Sequence, residues 1–492
     1  MIELTDAATA VETPRLRAGL LAAGAALIGA LALVIVQNPL GPVTLVLLAI
    51  VLLVVLWKAW LLTRREPIWL GFVLLLWELL SPCVFVPDRI RPIAGYGLTV
   101  LFCFPAIPIL WRIWKAPKSD FKLYLIYFGW CLLTVTYSLA PKFSLAHLVR
   151  SLFMFAGITI CSVRARQSGD IQRLIRCLML ACIVVTLMTA VAAVVLPYSI
   201  TWASVLKQNG PNPGDVDEVL RFQGPFDNPS RLGELALVTV GLILSYFEFA
   251  KGKERLFLAA AALTALGLTA LADSRSGVVA LVFGSSLYVL WRYRLKGLVA
   301  VALVSLFVAM VLMAAEPVVA PYIWRGDVWT VTGRTDIWPF VLQQIAAKPI
   351  TGYGYQMAGE ILTGRFFPIW WGPFDEGVHN SVHNGYLAHM AGVGIPAFIF
   401  WLFIMLHPWF SLFRQPEDPW RLKRIFFFIV IPVLLANLDE EMINECLGPS
   451  GFLFVMVWAL AEQYRLTALR QKFASQRQAV RTSPAAIAAL RS

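Results

Sequence analysis

Charge is scarce in this chain: 14% of its 492 residues are Asp, Glu, Lys or Arg, against 59% hydrophobic, and the mean hydropathy is +0.73. That composition leaves no soluble domain of ordinary size. Cysteine is sparse and badly placed for crosslinks. Of seven, Cys83, Cys103, Cys131, Cys161, Cys177 and Cys182 fall in or beside apolar stretches and only Cys446 lies in a loop, so neither a disulfide framework nor metal-ligand spacing is visible. Nor is a cleavable leader expected. Met1 to Pro14 is weakly acidic and polar, and the first apolar stretch lacks a small-residue cleavage site, so it is expected to stay on as an anchor.

What the chain has in abundance is long apolar runs. A bilayer core of about 30 Å needs roughly 20 apolar residues as a helix. Candidate spans are 18–36, 43–61, 68–86, 93–111, 121–140, 144–163, 174–197, 230–250, 256–272, 277–291, 297–316, 384–406, 425–437 and 450–463. The tenth and thirteenth are short, so the expected fold is an all-α polytopic integral membrane protein with about 12–14 transmembrane helices. Lys and Arg set its orientation. With a cytoplasmic N-terminus, 29 of the 41 fall inside and 12 outside, which predicts both termini in the cytoplasm. The net charge of +12 then reflects topology and contact with anionic lipid, with no need for nucleic acid as a partner. The expected organisation is a cytoplasmic tail over 1–17, N-terminal transmembrane helices over 18–197, a region over 198–464 with two long outer loops, and a cytoplasmic basic tail over 465–492.

Those loops, 198–229 and 317–383, exceed what a tether requires. The second is a large extracytoplasmic loop rich in Trp, Phe, Gly and Pro, whereas floppy linkers are poor in aromatics. The first ends on Arg221, Phe222, Gln223, Gly224, Pro225, Phe226, Asp227, Asn228, Pro229, and the Asn-Pro pair predicts a helix start with Asn228 as N-cap. Two further spans run outside to inside. Their starts hold Asp273, Ser274, Arg275, Ser276 and His379, Asn380, Ser381, Val382, His383, Asn384. In the long loop, Thr332 to Trp338 leads into an amphipathic helix reaching Lys348, capped by Thr335 or Asp336, so Arg334 is held near another helix N-terminus. Free N–H groups and guanidinium forks both match phosphate oxygens. Each Arg taken alone reads as an interfacial side chain snorkelling to headgroups; the set points to an anion site.

His383 is the candidate titratable group, able to take a proton from a hydroxyl near neutral pH. His379 and His383 are four apart, but no third ligand stands in register, so no metal site is expected. His147, His389 and His407 read as helix-facing or interfacial.

These residues resemble the O-antigen ligases and related Wzy-type polysaccharide polymerases. The matching pieces are Arg221 to Asn228, Ser274 to Gly277, Gly333 to Trp338 with Pro349 to Gly354, and His383 to Leu387 followed by Gly392 to Gly394, in family order over roughly residues 215–400. The resemblance implies a GT-C-like membrane glycosyltransferase that moves a glycan from undecaprenyl pyrophosphate to an acceptor hydroxyl outside the bacterial inner membrane. It implies no cofactor and no required metal. Arg221 and Arg334 correspond to arginines engaging the donor pyrophosphate, with Arg275 a third. His383 corresponds to the histidine that activates the acceptor hydroxyl, and direct displacement by that hydroxyl would invert the anomeric centre. Asn228, Asn384, Asp336 and Glu376 are secondary candidates. Partners implied are the lipid-linked glycan donor, a glycan or lipid A core acceptor, membrane lipid, and other polysaccharide assembly and export proteins. Ligase and polymerase stay unseparated. Two rivals are a secondary transporter, for which mid-depth charges are few apart from Glu78 and His147 or Arg150, and a non-catalytic protein binding lipid-linked glycan.

Overall fold

The computed structural model describes residues 66–303, 334–362 and 382–482, apart from short breaks within those ranges. The spans expected at 18–36 and 43–61 lie outside the described residues, as does most of 297–316. The order begins with α1 (Ile68–Leu80), α2 (Ile90–Cys103), α3 (Pro108–Lys115), α4 (Asp120–Val135), α5 (Pro141–Gln167) and α6 (Ile171–Val195). A hairpin of β1 (Trp202–Gln208) and β2 (Val216–Phe222) precedes α7 (Ser230–Tyr246), α8 (Lys253–Leu271) and α9 (Arg275–Tyr293). Then come α10 (Arg334–Ala347), α11 (Ala358–Leu362), α12 (Gly385–Val393), α13 (Ile395–Phe413), α14 (Leu422–Ile425), a π-helical turn (Phe426–Val430), α15 (Ile431–Ala436) and α16 (Pro449–Thr482).

The chain is a multi-pass membrane protein built almost wholly of helices. Among the described residues six helices are long and apolar enough to cross a membrane, namely α5, α6, α8, α9, α13 and α16. A seventh candidate is bent: Tyr96–Ala106 and Pro108–Lys115 meet at 54°, so the span expected at 93–111 is broken where Pro105 and Pro108 interrupt the ladder. The span expected at 384–406 is likewise two helices. Gly394 sits at φ +85, a left-handed conformation suited to glycine, and Ile395 N donates to Pro349 O at 2.8 Å instead of continuing α12. Within 425–437 the π turn inserts an extra residue before α15. The final helix runs far beyond the expected 463, to Thr482.

The hairpin is a local departure from an all-helical chain. β-branched and aromatic residues (Trp202, Val205, Val216, Val219, Phe222) fall on two runs flanking Asn209 to Gly214, whose sequence is turn-forming. They pair antiparallel in register from Trp202↔Phe222 to Gln208↔Val216.

Helices α7 and α16 form the centre. Leu232 to Ile243 are all buried on α7 and Phe452 to Ala461 are all buried on α16, so these apolar helices are enclosed by protein on every side. Apolar burial drives little association between helices in lipid, where close packing and polar contacts count for more. Two charged knots supply such contacts at opposite ends of the bundle. At one end, Asp120 N donates to Glu462 Oε1 (2.8 Å), Arg465 Nε donates to Glu462 Oε2 (2.6 Å), and His407 Nδ1 lies 2.6 Å from Asp120 Oδ2, joining α4, α13 and α16. The other knot, of Glu78 with Arg150 and Glu234 with Arg231, lies at the start of α16.

Candidate functional site

The loop expected at 317–383 contributes a packed helix. On α10, Ile337, Val341 and Ile345 recur every four residues and bury one stripe against Val382, Ala391 and the α11 residues Ala358, Ile361 and Leu362. Helix α10 begins at Arg334, ahead of the Thr335 or Asp336 cap expected from sequence, and Pro339 lies inside it, beyond the N1 position proline prefers. The strap that follows is pinned on both sides. Tyr353 N donates to Ala391 O and Gly354 N to Gly392 O, each at 2.9 Å, while Tyr355 N donates to Thr134 Oγ1 at 3.0 Å and its hydroxyl to Ser151 Oγ at 2.8 Å. The end of the Pro349–Gly354 motif together with Tyr355 thus ties α12 to α4 and α5.

His383 occupies the turn into α12. Its φ is +51, a left-handed value that costs a β-carbon-bearing residue and persists only where neighbours enforce it. The neighbours are identifiable. Before it, Val382 is fully buried and its carbonyl accepts from Trp338 Nε1 at 3.2 Å. After it, Asn384 Oδ1 accepts from Tyr386 N and Leu387 N at 3.0 Å each, and its Nδ2 donates to Leu438 O at 3.1 Å. Gly385 N donates to Asn437 O at 2.9 Å, and a β-carbon on Gly385 would run into the Asn437 side chain. Asn384 is therefore committed to the fold through both its oxygen and its nitrogen. The Trp338 contact also fixes α10: Arg334 starts one turn earlier, about 6 Å along the helix axis.

The other candidates gather by backbone. Arg221 is a β2 residue paired with Ala203, nine residues before α7 begins at Ser230. Asn228 Oδ1 accepts from Ser230 N at 2.8 Å, the capping bond of α7. Arg275 opens α9, and two residues on, a β-carbon on Gly277 would sit 2.6 Å from Gly233 O, so the first turns of α9 and α7 are in backbone contact. The side chains of Arg221, Arg275, Arg334 and Asp336 lie outside the described residues, and so do Glu376 and His379 entirely.

Sequence reasoning missed how the carboxylates on this face are used. Glu78 pairs with Arg150, and its second oxygen accepts from Gly448 N at 2.8 Å. Glu234 pairs with Arg231 at 3.0 Å and accepts from Ser450 N at 3.0 Å. Two buried carboxylates thereby cap the start of α16, uniting α1, α5, α7 and α16. The signal was available, because ionisable residues within membrane segments usually pair with one another. His389 was also read blandly. Its Nε2 lies 2.8 Å from the Tyr127 hydroxyl, and its ring packs against Trp401 at 4.7 Å.

The starts of α7 and α9 are thus in backbone contact, and the start of α10 is tied to the strained histidine through Trp338. Residues 259–402 match the family model described as O-antigen ligase, showing the resemblance to that family over the stretch holding Arg275, Arg334 and His383. No curated protein sequence matches the chain. The match supports glycan transfer in a membrane, by ligation or polymerisation, as the class of activity.

Proposed function

We propose that the chain transfers a glycan from undecaprenyl pyrophosphate to an acceptor hydroxyl on the outer face of the bacterial inner membrane, with both termini cytoplasmic. The observation that carries this reading is the turn at His383, strained and clamped on both sides, one clamp coming from Trp338, which stands one helix turn after Arg334 on α10. The transfer machinery is assigned to residues 198–464.

In the proposed reaction the acceptor oxygen bonds to the anomeric carbon as the bond from that carbon to the pyrophosphate oxygen breaks. The electron pair leaves on undecaprenyl pyrophosphate, and the acceptor proton passes to His383. Pyrophosphate is already a good leaving group, so the protein's task is to neutralise departing charge and orient the incoming hydroxyl. Arg221, Arg334 and Arg275 serve the first task and His383 the second. Displacement in one step inverts the anomeric centre, and this reading calls for no metal or nucleotide sugar. Asp336 and Glu376 are the carboxylates to which the proton would be assigned if His383 is dispensable. The acceptor is lipid A core for a ligase and a growing glycan for a polymerase, and either would work beside further assembly and export proteins.

The experiment incubates purified protein with undecaprenyl-pyrophosphate oligosaccharide and each acceptor in turn, alongside His383→Gln. Expected is a lengthened or core-linked glycan from the wild type, with a loss of about 10²–10⁴-fold in the variant. Flux of the lipid-linked glycan across proteoliposomes without any transfer would replace this reading with transport.

A further inference from the structure

A cleft of about 50 Å³ lies between the strap at Tyr355 to Gly359 and α12, with Ile443 in its wall and Gly385, two residues after His383, in its lining. We propose that it receives the hydroxyl-bearing edge of the acceptor sugar, with Gln356 as its polar contact and the His389 ring in its wall; this rests on the glycan-transfer reading above and names where its acceptor binds.

Size sets the first limit. On this measure one water needs about 10–15 Å³, so the cleft has room for roughly three to five water-sized groups, enough for the hydroxyls along one edge of a sugar. Charge sets the second. The lining residues are Tyr355, Gln356, Ala358, Gly359, Gly385, Ala388, His389, Gly392, Val393 and Ile443, without a Lys or Arg, so the cleft suits a neutral hydroxyl and gives a pyrophosphate no counter-charge. The donor is thus left to the arginines, and the acceptor fits here.

The lining also shows construction that the fold alone does not require. Gln356 has φ +61, a second left-handed non-glycine beside the same helix, and its half-buried carboxamide has no hydrogen-bond partner among the described residues. A carboxamide both donates and accepts, which matches paired sugar hydroxyls. Gly392 lies within α12, where glycine costs roughly 0.5–1 kcal/mol relative to alanine. A β-carbon there would come no closer than 3.3 Å to Gly354 O, a tight but not prohibitive contact, so backbone collision does not demand the glycine. What its missing side chain provides is room in the cleft. His389, six residues after His383, stands in the wall, its ring oriented by the Tyr127 hydroxyl and stacked among Tyr127, Phe398 and Trp401.

The test uses the full chain in nanodiscs with two probes, lipid A core oligosaccharide and undecaprenyl-pyrophosphate oligosaccharide. The variants are Gln356→Gly, which removes the carboxamide and relieves the backbone, and Ala388→Val, which fills the cleft. Expected for the accepted probe is a KM raised roughly 2- to 10-fold in Gln356→Gly, the worth of one neutral hydrogen bond, and more in Ala388→Val. The kcat at saturating acceptor and the KM for donor should hold. An unchanged acceptor KM in both folded variants, or a fall in kcat alone, overturns the subsite. If the wild type transfers to neither probe, the glycan-transfer reading fails, and probe binding by titration decides the cleft separately. Weaker binding by both variants retains it as a glycan site, and equal or absent binding removes it.

Discussion

Trp338→Phe tests whether the α10 start and His383 act as one unit. The substitution keeps an aromatic ring in the stripe but deletes the indole N–H that the Val382 carbonyl accepts at 3.2 Å. Val382 is fully buried, so water cannot replace the donor. Leaving a buried acceptor unsatisfied costs about 1–3 kcal/mol. The cheapest relief is for the 382–384 turn to swing toward solvent, because His383 already holds an unfavourable φ that only its neighbours enforce. If that energy is spent displacing His383, transfer falls roughly 5- to 150-fold at 1.4 kcal/mol per factor of ten. Donor binding should change little. Single-turnover transfer measured on Trp338→Phe, His383→Gln and the double variant separates the routes. Expected is strong non-additivity, with the Trp338 substitution adding almost nothing once His383 is gone. A folded Trp338→Phe protein at wild-type rate, or equal factors in both backgrounds, refutes the coupling.

Reporter fusions at Lys296 and Ala358 are expected on opposite sides of the membrane, and finding them on one side overturns the outer-face assignment. Arg221→Lys and Arg334→Lys should each weaken donor binding by about 1.5–3 kcal/mol, since a point charge cannot reproduce a bidentate fork; full activity at normal expression would mean that these side chains only reach headgroups. Glu78→Gln removes the charge facing Arg150 and weakens the cap on Gly448 N. Breaking such a buried pair costs about 3 kcal/mol, so detergent-solubilised protein should melt at lower temperature, and an unchanged melting curve would show the pair to be idle.

The helical architecture was legible because apolar runs and basic loops are long-range averages that single residues barely disturb. Breaks were less so. A proline pair at Pro105 and Pro108 is visible as punctuation, but whether a span kinks or turns aside depends on what packs there. The split at Gly394 needs the carbonyl of Pro349, 46 residues upstream, to accept from Ile395, and no local pattern encodes that contact. The hairpin at Trp202–Phe222 was hidden by the expectation of a loop, although its β-branched and aromatic runs around a turn sequence carried the information. At the site, the cap at Asn228 was readable from the Asn-Pro pair. The role of Asn384 was not, since its nitrogen bonds Leu438 and its position gives no hint of that partner. Glu78 stood out as an acid among apolar residues and Glu234 was passed over; their shared use as caps of α16 is a property of the packed bundle.

Those caps divide the electrostatics of the site face, and the division gives a final test. A helix start carries a partial positive charge that a nearby carboxylate cancels. At α16 two carboxylates do so, through Gly448 N and Ser450 N. At α7, α9 and α12 the first turn contains no acid, and the caps on α7 and α12 are the neutral carboxamides of Asn228 and Asn384. Asn228→Asp changes only the charge. Its Oδ1 already accepts from Ser230 N at 2.8 Å, a bond aspartate keeps, and asparagine and aspartate cap equally well. The dipole should even favour the variant by about 0.3–1 kcal/mol. Asn384→Asp is a poorer probe, because its Nδ2 donates to Leu438 O and an oxygen there would repel. For an anionic donor held near the α7 start, one added negative charge at about 10 Å and an effective dielectric near 20 costs roughly 1.7 kcal/mol per unit charge, about 15-fold in affinity. Expected for Asn228→Asp is thus a melting temperature at or above wild type with donor KM raised at least tenfold at low salt, the penalty shrinking as salt screens it. A stable variant with unchanged donor KM would place the pyrophosphate away from α7 and take Arg221 out of the site with it.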